Sequence, residues 1–317
     1  ASLRSWRSNF DLDRELDTLQ RNGAAFIWKG HDQYPKRLPH IYDAPVGLYC
    51  RGKATPSDDT PAIAIVGTRR PTFYGQKIAR SFARRLASNG WWIVSGLARG
   101  IDTAAHEGAL DVGGKTVAVM GNGLDIIFPP ENLDLYRRIA ETGSVMSEFR
   151  FGRKADRQTF PMRNRIVSGM VDAVLVVESD VQGGSMITAR FASEQGRQVY
   201  AIPGRIDEES SRGCHQLIRD GAILVSSVEE ILEDMNMPIR ATQTEMDLDS
   251  RSKPGPENLP ADEAAVWECF VKEPAWQMDA LVEQLGMPAS MVGVVLMKLE
   301  LRGWLHKRID GAHERRI

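Results

Sequence analysis

Cysteine is scarce in this sequence: Cys50, Cys214 and Cys269 are the only three, and they lie far apart. That spacing excludes a paired disulfide framework or a metal knuckle and points to a reducing, cytoplasmic compartment. Long apolar runs are missing as well. No stretch approaches the roughly 20 apolar residues that cross a bilayer, and Ala1-Ser2-Leu3-Arg4 lacks the apolar core of a secretory signal. No membrane partner is expected. Nor is there a surplus of positive charge: 40 Lys and Arg face 42 Asp and Glu, a net −2. Whole-molecule electrostatics therefore do not announce nucleic-acid binding, and any anion site must come from local clustering.

Several chemistries are absent by motif. No G-x-x-x-x-G-K-[S/T] occurs, which excludes a P-loop nucleotidase. Gly121-x-Gly123 has Ile126 where a dinucleotide fingerprint needs its third glycine. His106, His215 and His306 lack metal-ligand spacing, and Ser185 sits in no nucleophile elbow. No catalytic residue, metal or cofactor is expected, and the chain reads as a binding protein rather than an enzyme.

What is present is an alternation of buried strands and helices. Ala62 to Val66 is a continuous apolar run ending in Gly67, the pattern of a strand buried on both faces. Helical spacing follows from Gly75 to Asn89, then a strand over Trp91–Ser95 and a helix over Asp102–Leu110. Lys115–Met120, Val145–Met146, Ala173–Val177, Gln198–Ile202 and Ile223–Val225 read as further strands. Helices are predicted over Leu133–Glu141, Ile187–Gln195 and His215–Asp220. The alternation predicts an α/β fold: an extended Rossmann-like, doubly wound and mainly parallel sheet.

Around that core, residues 1–55 read as a short, partly helical N-terminal segment with a helix over Phe10–Arg21, and residues 56–236 as the Rossmann-like domain. Residues 237–260 are polar and rich in Pro and Gly, the composition of a linker. Residues 261–317 read as a small C-terminal winged-helix domain. Its helical patterns lie at Asp262–Val271, Met278–Leu285 and Ser290–Arg302, and a β-ribbon turns at Asp310-Gly311.

Open parallel sheets bind ligands at the carboxyl ends of their strands. The loops predicted there carry Gly67, Arg69 and Arg70; Ser95, Gly96 and Arg99; and Gly184, Ser185 and Thr188. A dense basic segment, Arg150 to Arg165, holds six Arg or Lys against Asp156 alone and includes Arg163, Asn164 and Arg165. Each feature has a plainer explanation: turn geometry for Gly67 and Gly96, helix capping for Ser185 and Thr188, a solvated loop for the arginines. Their coincidence on one sheet edge favours a phosphate-bearing ligand, and several arginines without a metal or general base suit a repeating phosphate backbone.

These loops resemble the DNA-processing protein A (DprA/Smf) family. The matching text comprises Ala64-Ile65-Val66-Gly67-Thr68-Arg69, Ser95 through His106, Gly121-Asn122-Gly123-Leu124-Asp125, Phe160-Pro161-Met162-Arg163-Asn164-Arg165 and Gly184-Ser185-x-Ile187-Thr188. The resemblance implies binding and protection of incoming single-stranded DNA, a homodimer through the Rossmann-like domain, and loading of the recombinase RecA in natural transformation. It implies that Arg69 contacts phosphates, that Arg163 and Arg165 line the same basic pocket, and that Gly184, Ser185 and Thr188 shape its floor. Leu133 and Asp134 stand where many members carry a basic residue, with Arg137 and Arg138 on the same predicted helix. The C-terminal unit carries seven Lys or Arg against nine Asp or Glu over 262–317, which suits protein contact or weak DNA contact better than sequence-specific duplex reading. The rival reading is a phosphoribohydrolase-like nucleotide enzyme or carrier, whose Pro-Gly-Gly-x-Gly-Thr-x-x-Glu signature Gly183–Thr188 does not complete.

Overall fold

The computed structural model describes residues 11–53, 55–57, 60–238, 259–308 and 310–315. They fall into two compact units, one carrying a nine-stranded sheet and one a three-stranded sheet. Residue Phe10 and all but the two ends of the linker read over 237–260 lie outside the described residues.

The larger unit begins with α1 (Leu12–Arg21), capped by Asp11, whose carboxylate accepts from the Arg14 amide at 3.0 Å. Strands β1 (Ala25–Trp28) and β2 (Gly47–Gly52) follow. Then come β3 (Ala62–Val66), α2 (Phe73–Ser88), β4 (Trp92–Ser95), α3 (Ile101–Leu110), β5 (Thr116–Met120), α4 (Leu133–Thr142) and β6 (Ser144–Ser147). The second half runs α5 (Thr159–Gly169), β7 (Ala173–Val176), α6 (Gly184–Glu194), β8 (Gln198–Ala201), α7 (Arg212–Arg219), β9 (Ile223–Leu224) and α8 (Val228–Asp234).

The strand order is β1-β2-β6-β5-β4-β3-β7-β8-β9. From β6 to β9 every pairing is parallel. The chain leaves β3 towards β4 on one side and returns to β7 on the other, so the winding reverses between β3 and β7. The core strands are buried end to end because helices cover both faces. Alternation decides which face each residue fills: Val117 and Val119 of β5 join one core cluster, and Ala118 and Met120 the other.

Two expectations change here. The N-terminal segment set apart at 1–55 is not separate from the sheet. Strand β1 pairs antiparallel with β2, and β2 antiparallel with β6. The basic stretch expected to be a loop up to Arg165 instead enters α5 at Thr159. Pro161 stands in the first turn of that helix, where its missing N–H leaves no hydrogen bond unmade.

The smaller unit contains α9 (Ala261–Lys272), β10 (Ala275–Trp276), α10 (Met278–Leu285), α11 (Ala289–Leu301), β11 (Leu305–Lys307) and β12 (His313–Arg315). Its sheet runs β10-β12-β11, and Val266, Phe270, Leu281, Val292, Leu296, Leu299 and Leu305 form its core. Three helices and a wing make it a winged helix. Lys298 and Arg302, the two cations of its third helical pattern, are both committed to Glu263, 1% exposed on α9, at 3.1 Å and 2.7 Å. No single helix among the described residues is long and apolar enough to cross a membrane.

Candidate nucleic-acid interface

A cavity of about 440 Å³ opens at the carboxyl ends of β3 and β7, where the winding reverses and an open α/β sheet leaves a crevice. Its walls come from the loop after β3 (Gly67 to Arg70), from Ala98 and Asp102 after β4, from Phe160, Arg163 and Asn164 on α5, and from Gly183 to Thr188 at the start of α6. A smaller neighbouring recess brings in Gly96 and Arg99 beside Phe128 and Phe160.

Helix α6 points its N-terminus into this space. Its N-cap is Gly183, and no side chain caps it, so its first amides face the cavity with the positive end of the helix dipole. Sequence reading placed Ser185 and Thr188 as caps. The Ser185 hydroxyl instead donates to Ser179 Oγ at 2.7 Å, and Thr188 lies a full turn into the helix, 2% exposed. Asn164 fastens the neighbouring helix by donating to Gly184 O at 3.1 Å. Gly184 has open space where a side chain would start, so glycine there keeps the cavity clear rather than serving the backbone.

Arg163 supplies a deep positive charge. It is 5% exposed, and its Nε has no hydrogen-bond partner among the described residues. A Cβ at Gly96 would overlap its guanidinium, so this residue must be glycine for Arg163 to lie where it does. Opposite sits Asp102, 6% exposed, which accepts from the amides of Gly96 at 3.1 Å and Ala98 at 3.3 Å. Its Oδ2 is 3.9 Å from Arg163 Nη1. Burial pushes the Asp102 carboxyl above the usual range against the pull of Arg163, and burial likewise lowers the Arg163 guanidinium.

Nearer the mouth, Arg69 is exposed and lays its guanidinium over the Phe160 ring, 4.6 Å from the centroid. Phe128, 40% exposed, stands 6.3 Å from Phe160. Arg70 is exposed beside them. Arg99 is exposed and engaged with Glu131. Gly67 is tight for a different reason: a Cβ there would meet Ile101 and the Glu178 carbonyl.

Two candidates point elsewhere. Ser95 is fully buried and donates to Ile65 O at 2.7 Å, so it ties β4 to β3 and does not line the cavity. Arg165 leaves the cavity altogether, pairing with Asp43 at 3.1 Å and Glu148 at 2.6 Å. The pocket expected to hold both arginines holds Arg163 alone. Arg137 and Arg138 of α4 are exposed, as expected of the same helix face region that carries Leu133 and Asp134. His106 is fully buried and His215 Nε2 lies 2.9 Å from Gly204 O, both outside the cavity lining.

The fold and site together define a doubly wound α/β protein with an anion-receptive crevice at its switch point, accompanied by a winged helix. Residues 25–236 match the DNA recombination-mediator protein A family and residues 250–310 the DprA winged helix domain. The chain belongs to the DprA/Smf family. It is 39% identical to Protein Smf of Escherichia coli over 93% of this chain and 78% of that one. It is 38% identical to Protein Smf of Synechocystis over 72% of this chain, spanning 58% of that longer protein. Among solved structures, DprA of Streptococcus pneumoniae superposes with a TM-score of 0.65 at 40% identity, covering 72% of this chain and 79% of that one. DprA of Helicobacter pylori, described for its single-stranded DNA binding mode, gives 0.60 at 32% identity over 67% and 95%.

Proposed function

We propose that the chain binds single-stranded DNA along the carboxyl edge of its parallel sheet and acts in DNA processing during recombination and transformation. The observation that carries this reading is the convergence of three positive elements on one crevice: the uncapped start of α6, the buried Arg163 and the exposed Arg69. Backbone amides and guanidinium groups of this kind recognise phosphates by hydrogen bonding and charge. Phosphates take the helix amides and arginines, while the Phe128–Phe160 pair offers a stacking face to bases. The single-stranded DNA binding described for the H. pylori relative supports the assignment.

We further propose, on the resemblance of the site loops alone, loading of RecA and a homodimer through the sheet unit. Light scattering at micromolar concentration tests the dimer, and stimulation of RecA nucleation on strand covered by a single-strand-binding protein tests loading.

A cavity of about 440 Å³ would also house one nucleotide. The deciding experiment is an oligo-dT length series with thymidine monophosphate as competitor. Affinity that climbs with length and resists the mononucleotide supports strand binding. Affinity that is flat with length and abolished by the mononucleotide contradicts it and favours a nucleotide-binding enzyme or carrier.

A further inference from the structure

Asp102 is an acid on the wall of a cavity otherwise built for anions, and its geometry separates two tasks. Its carboxylate spends its hydrogen bonds on the amides of Gly96 and Ala98. Those bonds fix a loop in which Leu97 adopts a left-handed φ of 56° and Gly100 one of 80°. Towards Arg163 its nearest approach is 3.9 Å, beyond hydrogen-bond length. Arg163 is instead located by packing. It lies against the bare Gly96 backbone in space that a side chain would fill, on a helix anchored to α6 by Asn164. Burial works against the ionised form of Asp102, while Arg163 and the two donating amides favour it, and in that form Asp102 gives Arg163 charge and not direction.

We propose that Asp102 attenuates the anion site by partly neutralising Arg163, so that a bound phosphate competes with an internal carboxylate for the same guanidinium. This rests on the reading of the cavity as the phosphate-backbone site. The consequence is weaker grip at each phosphate and faster release along a strand than the arginine count alone would give. The partnerless Nε of Arg163 fits the arrangement, because the guanidinium keeps donor capacity that Asp102 does not use.

The test compares the full chain with Asp102→Asn and Asp102→Ser. Both replacements remove the charge; Asn keeps an oxygen where the Gly96 amide donates, whereas Ser gives up that bond and separates the loss of charge from the loss of loop support. Circular dichroism establishes that each variant is folded, and fluorescence anisotropy with labelled oligo-dT reads affinity across a salt series. Removing a unit charge one contact shell from a phosphate should tighten binding by about tenfold at low salt. It should also steepen the slope of log K against log salt by up to about 0.7, since Arg163 then counts as a full counter-ion. In an Arg163→Gln background the same Asp102→Asn change should gain less than twofold. Thermal stabilisation by inorganic phosphate supplies an independent probe and should be larger in Asp102→Asn than in wild type. A folded Asp102→Asn that binds oligo-dT equally or more weakly than a wild type that binds well overturns attenuation and leaves the site intact. A wild type that ignores oligo-dT overturns the site reading instead, and the phosphate comparison then decides attenuation by itself. Equal stabilisation of both proteins by phosphate sinks it.

Discussion

Arg163 and Arg165 stand two residues apart on α5 and serve opposite sides of it: Arg163 faces Asp102 across the cavity, whereas Arg165 is tied to Asp43 and Glu148. A helix turns each residue by about 100°, so positions i and i+2 cannot share a face. The two arginines therefore separate under mutation. Arg163→Ala should cost at least tenfold in oligo-dT affinity and make the salt slope shallower by about 0.7. Arg165→Ala should leave both within twofold of wild type and lower stability by about 1–3 kcal/mol. The buried-pair figure is discounted there because Asp43 is largely exposed. Anisotropy and urea unfolding on the two single variants read this directly.

Gly184 and Gly96 make a second contrast. A Cβ at Gly184 would meet nothing within 4 Å, and Gly184 lines the cavity, so a larger side chain there takes up cavity space. Gly184→Val should hold its melting temperature within a few degrees of wild type while oligo-dT affinity falls by tenfold or more. Gly96→Ala collides with the Arg163 guanidinium, so it should lose both affinity and stability, the latter by about 1–3 kcal/mol as the packing gives way.

His106 makes the fold acid-sensitive. Its Nδ1 lies 2.7 Å from Thr116 Oγ1, whose own proton goes to Ile93 O, so the ring donates from Nδ1 and is neutral. Burial, helped by the nearby Arg163, lowers its pKa from 6.5 to about 3. A histidine depressed in the folded state takes up its proton only on unfolding within that window. Its contribution is intact above pH 6.5 and is lost as pH falls towards 3. The slope should approach about 1.4 kcal/mol per pH unit. His106→Asn, which keeps a donor to Thr116, should flatten the stability profile between pH 6 and about pH 4 relative to wild type. Equal slopes in urea titrations of the two proteins would show that the ring is not the titrating group.

The winged helix should be dispensable for strand binding. The two cations of its third helical pattern, Lys298 and Arg302, are engaged by buried Glu263, and its net charge over 262–317 is negative. Deleting residues 255–317 should keep oligo-dT affinity within about threefold. Loss of nearly all binding would place the DNA site in the C-terminal unit instead.

The core strands were legible in the sequence because burial on both faces forces uninterrupted apolar runs, as in Ala62–Val66 and Ala173–Val176. Strands β1 and β2 were not. Strand β1 has four residues and buries only Ile27, leaving no run and no clean alternation, while β2 lies in a proline-punctuated stretch that reads as extended without announcing its place in the sheet. Helix α5 was hidden by Pro161 and by arginines that read as solvated, although Arg163 and Arg165 are both more than nine-tenths buried. The glycines of the site were visible as residues, but their reasons were not. Gly96 makes room for a guanidinium and Gly67 for a helix side chain, whereas Gly184 only keeps space open. Asp102, which no motif singled out as a site residue, became apparent only once folding set it against Arg163. Its place in Arg99-Gly100-Ile101-Asp102, at the start of a helix, was the one available signal, and it also reads as an ordinary first-turn acid.

The most direct measurement is fluorescence anisotropy of the full chain with labelled oligo-dT and a matched duplex across a salt series, repeated with Arg69→Ala and Arg163→Ala. Preference for the single strand, a steep loss of affinity with salt and a drop of tenfold or more in both variants is the predicted result. Equal affinity for strand and duplex, or binding indifferent to salt and to both substitutions, would contradict a phosphate-backbone site on this sheet edge.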